Sequence, residues 1–241
     1  MTERGRDTIE RNASAYRIGP SRMSWDGQTL TVDIDEITVP IPQRVRGRVV
    51  LRPGAVCNFI TALDAAGRHH WGPIAPCARV EVELEHPKLR WSGHAYMDAN
   101  QGSEPIDRAF FEWDWSRSTM TDGSTTVIYD VRPQLGLGPD RVIAQRFGAD
   151  GSHCPFVAPA RQPLPRSAWH IARTMRSDAE VPPRQVQSLE DTPFYARALL
   201  DASVQGERVV AMHETLNVPR LVSWPVQMML PWRMPRRSGK A

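Results

Sequence analysis

The sequence predicts an all-β chain, and three observations carry that prediction. Twenty-one prolines and sixteen glycines interrupt the chain at short intervals. Apolar and polar residues alternate with period two between those breaks, and long amphipathic helical periods are missing. Many short strands separated by Gly/Pro turns read as a barrel or a sandwich. At 241 residues there is room for one large domain or two small ones.

Taken in order, the strand patterns are these. Leu30, Val32 and Ile34 alternate with Thr31 and Asp33. Val80, Val82 and Leu84 alternate with Glu81, Glu83 and Glu85, the clearest half-buried strand in the chain. Trp91–Asn100 and the stretch holding Phe111, Trp113 and Trp115 read as further strands. Asp122-Gly123 is a turn signal, and Thr125–Val131 follows it as a hairpin return strand should. Arg141–Phe147 is a strand within a stretch, 131–165, otherwise rich in Gly and Pro, which puts a domain boundary near 145. Arg208–Glu214 follows the Gly206 turn.

Composition excludes several functions. No run approaches the ~20 continuous apolar residues of a membrane-spanning helix. The first twenty residues carry arginines and acids and do not read as a secretory signal peptide. Cys57, Cys77 and Cys154 are an odd, sparse set with no CxxC spacing, which fits a reducing compartment and ordinary packing roles. From Arg220 onward there are five basic residues and no acid. Thirty basic residues less those five leave 25 against 27 acidic ones. The basic character therefore belongs to the tail, and nucleic-acid binding by the body is not expected.

Chemistry concentrates in Trp91–Asn100. As a strand this segment has one small or apolar face (Trp91, Gly93, Ala95, Met97, Ala99) and one hydrogen-bonding face (Ser92, His94, Tyr96, Asp98, Asn100). Same-face neighbours lie about 7 Å apart, so Tyr96 and Asn100 flank Asp98 along one wall. Phe111, Trp113 and Trp115 share a strand face shortly afterwards, and Arg68-His-His-Trp71 comes shortly before. An eight-stranded barrel holds one apolar ligand, and aromatic walls with a few placed polar groups suit such a cavity. On pattern alone, the polar face also reads as a solvent-facing side, the tryptophans as core, and His69 as a loop histidine. His69 and His70 point to opposite strand faces with no carboxylate at ligand spacing, so no metal site is expected.

These residues resemble a known family. GHAYMDANQGSEPIDRAFFEWDWSR (93–117) and DGSTTVIYD (122–130) are similar to the carotenoid 1,2-hydratases, or hydroxyneurosporene synthases, of phototrophic bacteria. Tyr96, Asp98, Asn100, Gly102 and Pro105 match that family's pattern, while His94-Ala95 departs from its usual Gly-Tyr approach. RIGPSRMSWDGQTLTVDIDE (17–36), LEDTPFYAR (189–197), MHETLNVPRL (212–221) and MLPWRMPRR (229–237) extend the likeness over nearly the whole chain. The resemblance implies two tandem lipocalin-like β-domains, 1–145 with the active site and 146–221, followed by a tail, 222–241. Members of the family typically begin upstream of the point matching Met1, so the first domain is expected to lack N-terminal strands.

It also implies a lyase reaction: water added across the terminal 1,2 double bond of acyclic carotenes such as neurosporene or lycopene. The product is a 1-hydroxy carotenoid, and no redox, metal or organic cofactor takes part. Such a hydration needs a protonated carboxyl, and a free Asp titrates near ~3.9, so the acid must be raised by an apolar cavity. Asp98 is the expected general acid. The resemblance singles out His69, Trp71, Tyr96 and Asp98. Trp71 and Tyr96 are expected to stabilise the tertiary cation by about 2 kcal/mol, and His69 to orient Asp98 or the attacking water. Trp113, Trp115, Phe111 and Asn100 are expected to line the substrate.

The apolar tail, with Trp224 and Trp232 leading into Arg236 and Arg237, has an interfacial composition suited to anionic lipid. Packing across the second domain is the competing reading. A cytoplasmic protein held peripherally at the inner or photosynthetic membrane is the expectation. The alternatives are a non-catalytic lipocalin-like carrier of an apolar ligand, or another enzyme, such as a polyene cyclase, on the same fold.

Overall fold

The computed structural model describes residues 2–38, 41–178, 182–229 and 234–236. The chain opens with β1 (Thr2–Arg4), β2 (Ile9–Arg11), β3 (Ala15–Ile18), β4 (Ser21–Trp25), β5 (Leu30–Ile37) and β6 (Arg44–Pro53). The short β7 (Thr61–Ala62) precedes the long strands β8 (His69–His86) and β9 (Leu89–Gly102). Then come β10 (Phe110–Thr119), β11 (Thr125–Pro133), β12 (Arg141–Phe147), β13 (His153–Pro155), β14 (Arg161–Leu164) and β15 (Arg173–Arg176). β16 (Arg184–Asp191), β17 (Tyr195–Val204) and β18 (Glu207–Asn217) lead into two short helices, α1 (Val218–Leu221) and α2 (Trp224–Met229), and β19 (Met234–Arg236). The fold is all-β, as the sequence predicts. Two compact units divide it: Met1–Gly54 with Ala78–Tyr96 and Met228–Ala241, and Ala55–Cys77 with Met97–Gln227.

In the first unit an antiparallel sheet runs β2-β3-β4-β5-β6-β8. The alternation at 80–85 is realised: Val80 and Val82 are buried, while Glu81 and Glu85 face out and meet Arg52 and Arg46 on β6. Arg48 and Arg44 similarly meet Asp33 and Asp35 on β5. Exposed cross-strand pairs of this kind contribute little individually, but they fix register. The ladder shifts at Gly47, whose φ is +154°. A Cβ there would stand 2.5 Å from the Leu84 Cα, so only glycine fits.

The second unit is built on a seven-stranded sheet ordered β13-β12-β11-β10-β18-β17-β16. The hairpin β10–β11 closes at Asp122-Gly123, with Thr119 opposite Thr125 and Gly123 at φ +82°. The hairpin β17–β18 closes at Gln205-Gly206, both at positive φ, as a tight two-residue turn requires. Residue 145, where the sequence reading draws a boundary, lies inside β12 within this sheet.

Strand alternation gives the sheet two faces. One carries an apolar cluster including Met120, Ile128, Ala144, Met175, Leu200 and Ala211. Beside it lie two buried carboxylates, Asp114 and Asp130. Asp130 accepts from Arg161 Nη2 at 2.7 Å and Arg176 Nε at 2.9 Å, which fastens the β14–β15 hairpin to the sheet. Asp114 accepts from Arg132 Nη2 at 2.6 Å, Thr174 Oγ1 at 2.6 Å and Thr215 Oγ1 at 2.5 Å. Burial alone would raise the Asp130 carboxyl, but the bonds and charges of Arg161 and Arg176 hold it below its ordinary value.

Replacing the buried Asp130 by Asn removes the carboxylate that Arg161 and Arg176 share and should lower stability by about 3 kcal/mol at neutral pH, measured by urea denaturation. Because the folded-state value is depressed, the wild-type advantage exists above the unfolded value of ~3.9 and disappears as pH falls below it. The two denaturation midpoints should therefore converge in acid.

Candidate active site

The site is assembled in the second unit from β8, β9, β10 and β11. β8 starts with an alternation in which His69 and Trp71 are buried and His70 and Gly72 are not, so both buried rings lie on one strand face. Thr61 and Ala62 on β7 pair with Trp71 and His70, and Leu63 N–H donates to the His69 carbonyl at 2.8 Å. The His69 N–H donates to Asp64 Oδ1 at 2.8 Å. The segment is therefore extended, and its backbone is held on both sides.

Trp71 is fully buried, and its indole Nε1–H donates to Asp98 Oδ2 at 2.8 Å. Indole nitrogen is a donor only, so this bond fixes the carboxyl by its Oδ2 edge. Trp71 belongs to a circuit of aromatic contacts. Trp71 meets Tyr129 with centroids 5.7 Å apart, Tyr129 meets Trp113 at 6.2 Å, Trp113 meets Phe110 at 5.6 Å, and Phe110 meets His69 at 4.8 Å. β8 closes the circuit by joining His69 to Trp71. Phe147 and Phe59 back Trp71 from further out.

Register explains why these rings meet. On β10, Trp113 pairs with Val131 and Leu216, while Trp115 pairs with Tyr129 and Glu214. Alternation turns both tryptophans to the face opposite Asp114 and Asp130. Burial, with the charges of Asp98 and Glu214 adding to it, pushes the Tyr129 hydroxyl far above its ordinary range. Tyr129 therefore stays a neutral phenol.

The structure brings together Trp71, Asp98, His69 and Trp113 from the predicted set, with Trp115 buried on the same sheet face. Tyr96 precedes Asp98 by two residues on β9, is half-buried, and belongs to the first unit. Asn100 is exposed. A β-bulge between Phe110 and Glu112 turns Phe111 outward, 44% exposed, and Phe110 takes the inward place expected of it. Three participants escaped the sequence reading. Phe110 was hidden by the bulge, and Tyr129 by sitting in an all-buried strand without alternation. Glu104 lies in a turn beyond β9 and meets Arg68 at 2.7 Å. The Asp122-Gly123 turn signal, which sets the β10–β11 register, could have placed Tyr129 opposite Trp115.

A cleft of about 210 Å³ opens beside Trp71, which lines it together with Phe59, Ile60, His70, Ala99 and Gln101.

The fold is all-β, and the half-buried carboxyl of Asp98 is bonded to a member of an aromatic circuit. The family described as carotenoid hydratase CrtC matches residues 1–241, and the chain belongs to that family. It is 58% identical over 238 residues to the acyclic carotenoid 1,2-hydratase of Rubrivivax gelatinosus and 49% identical over 240 residues to that of Thiocapsa roseopersicina. Both alignments cover 99% of this chain but 58% of the relative, so the chain spans little more than half their length. The acyclic carotenoid 1,2-hydratase of Rhodobacter capsulatus is 37% identical over 242 residues, covering 99% of this chain and 84% of that protein.

The close approach of β9 to His69 generates a prediction. A Cβ on Gly102 would lie 2.5 Å from His69 Nδ1. Gly102→Ala should displace the imidazole and destabilise the protein by about 1–3 kcal/mol, read from the shift in its denaturation midpoint.

Proposed function

We propose that this chain adds water across the terminal 1,2 double bond of acyclic carotenes such as neurosporene and lycopene, giving 1-hydroxy carotenoids. The observation that carries the reading is the hydrogen bond from Trp71, a member of the aromatic circuit, to the half-buried carboxyl of Asp98. The names of the curated relatives supply the substrate class.

Asp98 is the general acid. Its Oδ2 accepts from the indole, so a proton carried by this carboxyl sits on Oδ1 and leaves from there. Protonation at carbon 2 puts the positive charge on tertiary carbon 1. Aromatic faces stabilise a desolvated cation by about 2 kcal/mol each. Trp71, Trp113 and Trp115 are the faces assigned to that task, with Tyr129 as a neutral neighbour. His69 orients the water. A carrier of apolar ligands has no use for an acid so fixed.

The tail is the proposed contact with membranes. α2 leaves Trp224 74% exposed and Met228 and Met229 about half exposed. Residues 230–233 and 237–241, which include Trp232 and Arg237, lie outside the described residues. No described helix is long and apolar enough to cross a bilayer. An apolar side-chain group beside basic residues suits the interface of an anionic membrane, where a water-insoluble carotene resides.

Two measurements test these readings. Co-expression with a lycopene- or neurosporene-producing pathway should yield pigment heavier by one water with an unchanged chromophore. Asp98→Asn should abolish that product while leaving the thermal melt within a few degrees of wild type. Unmodified carotene from the wild-type protein would favour the carrier, and full activity in the variant would remove Asp98 from the mechanism. Separately, the double variant Trp224→Ser, Met228→Ser should lose co-sedimentation with anionic vesicles. Unchanged sedimentation would leave the tail a packing segment.

A further inference from the structure

The reaction also needs a place for water and an acceptor for its second proton, and the structure offers both beside His69. The His69 side chain is only 5% exposed, and its Nε2 makes no hydrogen bond among the described residues. Glu104 Oε1 stands 3.9 Å from that nitrogen. That is too long for a direct hydrogen bond, yet short enough for one water oxygen to bond both atoms. Neither group is free to drift. The other carboxyl oxygen of Glu104 accepts from Arg68 Nη1 at 2.7 Å, and the Glu104 side chain is 12% exposed. The imidazole is pressed between Gly102 and the edge of Phe110. Ser103 N–H donates to the Arg68 carbonyl at 3.0 Å, which ties the end of β9 to the start of β8. The charged groups around the imidazole are thus Asp64, Arg68 and Glu104.

We propose that His69 Nε2 and Glu104 Oε1 seat the water that captures the cation, and that Glu104 is the base that takes its proton. This rests on the hydration reading above and adds Glu104 to it.

Spacing supports the assignment. β9 pairs with β8, and the contacts His69–Gly102 and Trp71–Asp98 both join these two strands. His69 and Trp71 are two residues apart on one strand face, about 7 Å along the strand. A carbon–carbon double bond lying across Trp71 and His69 would present carbon 2 to Asp98 and carbon 1 to the water.

The step balances. Asp98 Oδ1 gives its proton to carbon 2 as the π bond breaks, leaving the cation on carbon 1. The water oxygen forms the carbon 1–oxygen bond, and the surplus proton passes to Glu104 Oε1. The sum is alkene plus water giving tertiary alcohol. Asp98 ends ionised and Glu104 protonated, and exchange with solvent resets both. Glu104 reaches solvent on its Arg68 side, where the arginine side chain is 55% exposed.

The experiment supplies lycopene to the purified protein in D2O and follows both the hydrated product and deuterium in recovered lycopene. In Glu104→Gln the cation still forms but is captured slowly, so it returns to alkene by losing a proton. Hydration should fall about 100-fold or more, while deuterium accumulates in the recovered carotene. Glu104→Asp, which retains a carboxylate, should regain part of the hydration. Asp98→Asn should neither hydrate nor exchange. Wild-type hydration in Glu104→Gln overturns the proposal. So does a Glu104→Gln protein with an unchanged melt that loses hydration without any exchange, and so does a Glu104→Asp variant no better than Gln. A wild-type control that does not hydrate overturns the reaction itself, and the two failures are told apart by that control.

Discussion

Two carboxylates withdrawn from water, Asp114 and Asp130, dictate how the second unit is built. An ion taken into a protein interior costs several kcal/mol unless other groups replace its water. Here Asp130 is satisfied from Arg161 and Arg176, and Asp114 from Arg132, Thr174 and Thr215. These partners come from β11, β14, β15 and β18, so one pair of aspartates joins β10 to β11 and binds three further strands to them. His213 is fully buried beside them, its Nε2 donating to the Thr174 carbonyl at 2.8 Å. Burial pushes its imidazole down, so it stays neutral in a region already full of charge.

The consequence appears on the reverse of the same strands. Because Asp114 and Asp130 must point toward the β14–β15 hairpin, Trp113, Trp115 and Tyr129 must point away from it. The Trp-Asp-Trp order of β10 is therefore one constraint seen from two faces: charge that locks the sheet, aromatic surface that the sheet presents. Trp71 and His69 complete that surface from β8. A site carried on hydrogen-bonded strands keeps its spacing better than one on loops, and acid–base chemistry is sensitive to errors of about 1 Å.

Much of this was legible in the sequence wherever alternation was clean. Val80, Val82 and Leu84 against three glutamates identified a half-buried strand, and Asp122-Gly123 identified the hairpin that sets the register of Trp115 opposite Tyr129. Asp98 stood out because a single acid on a polar strand face near many aromatics is unusual, and its bond to Trp71 joins two residues already singled out. Phe110 was not legible, since a bulge adds a residue without changing composition, and a strict period-two reading then selects Phe111. The Asp114–Asp130 cluster was hidden for a different reason. An acid between two tryptophans reads as the wet side of a strand, and only the tertiary arrival of Arg161 and Arg176 makes that side dry.

Glu104 shows how far a sequence reading reaches. It sits in a turn, in a run of Gly, Ser and Pro that signals nothing but a change of direction. Its position gains meaning only because Gly102 lets β9 touch the His69 ring, and because Arg68, one residue before that histidine, holds the carboxyl in place. In the proposed hydration, Arg68 holds the acceptor, His69 faces it, and Trp71 holds the donor two residues further along the chain. A polyene end lying across His69 and Trp71 would meet the two groups in the order the chemistry requires.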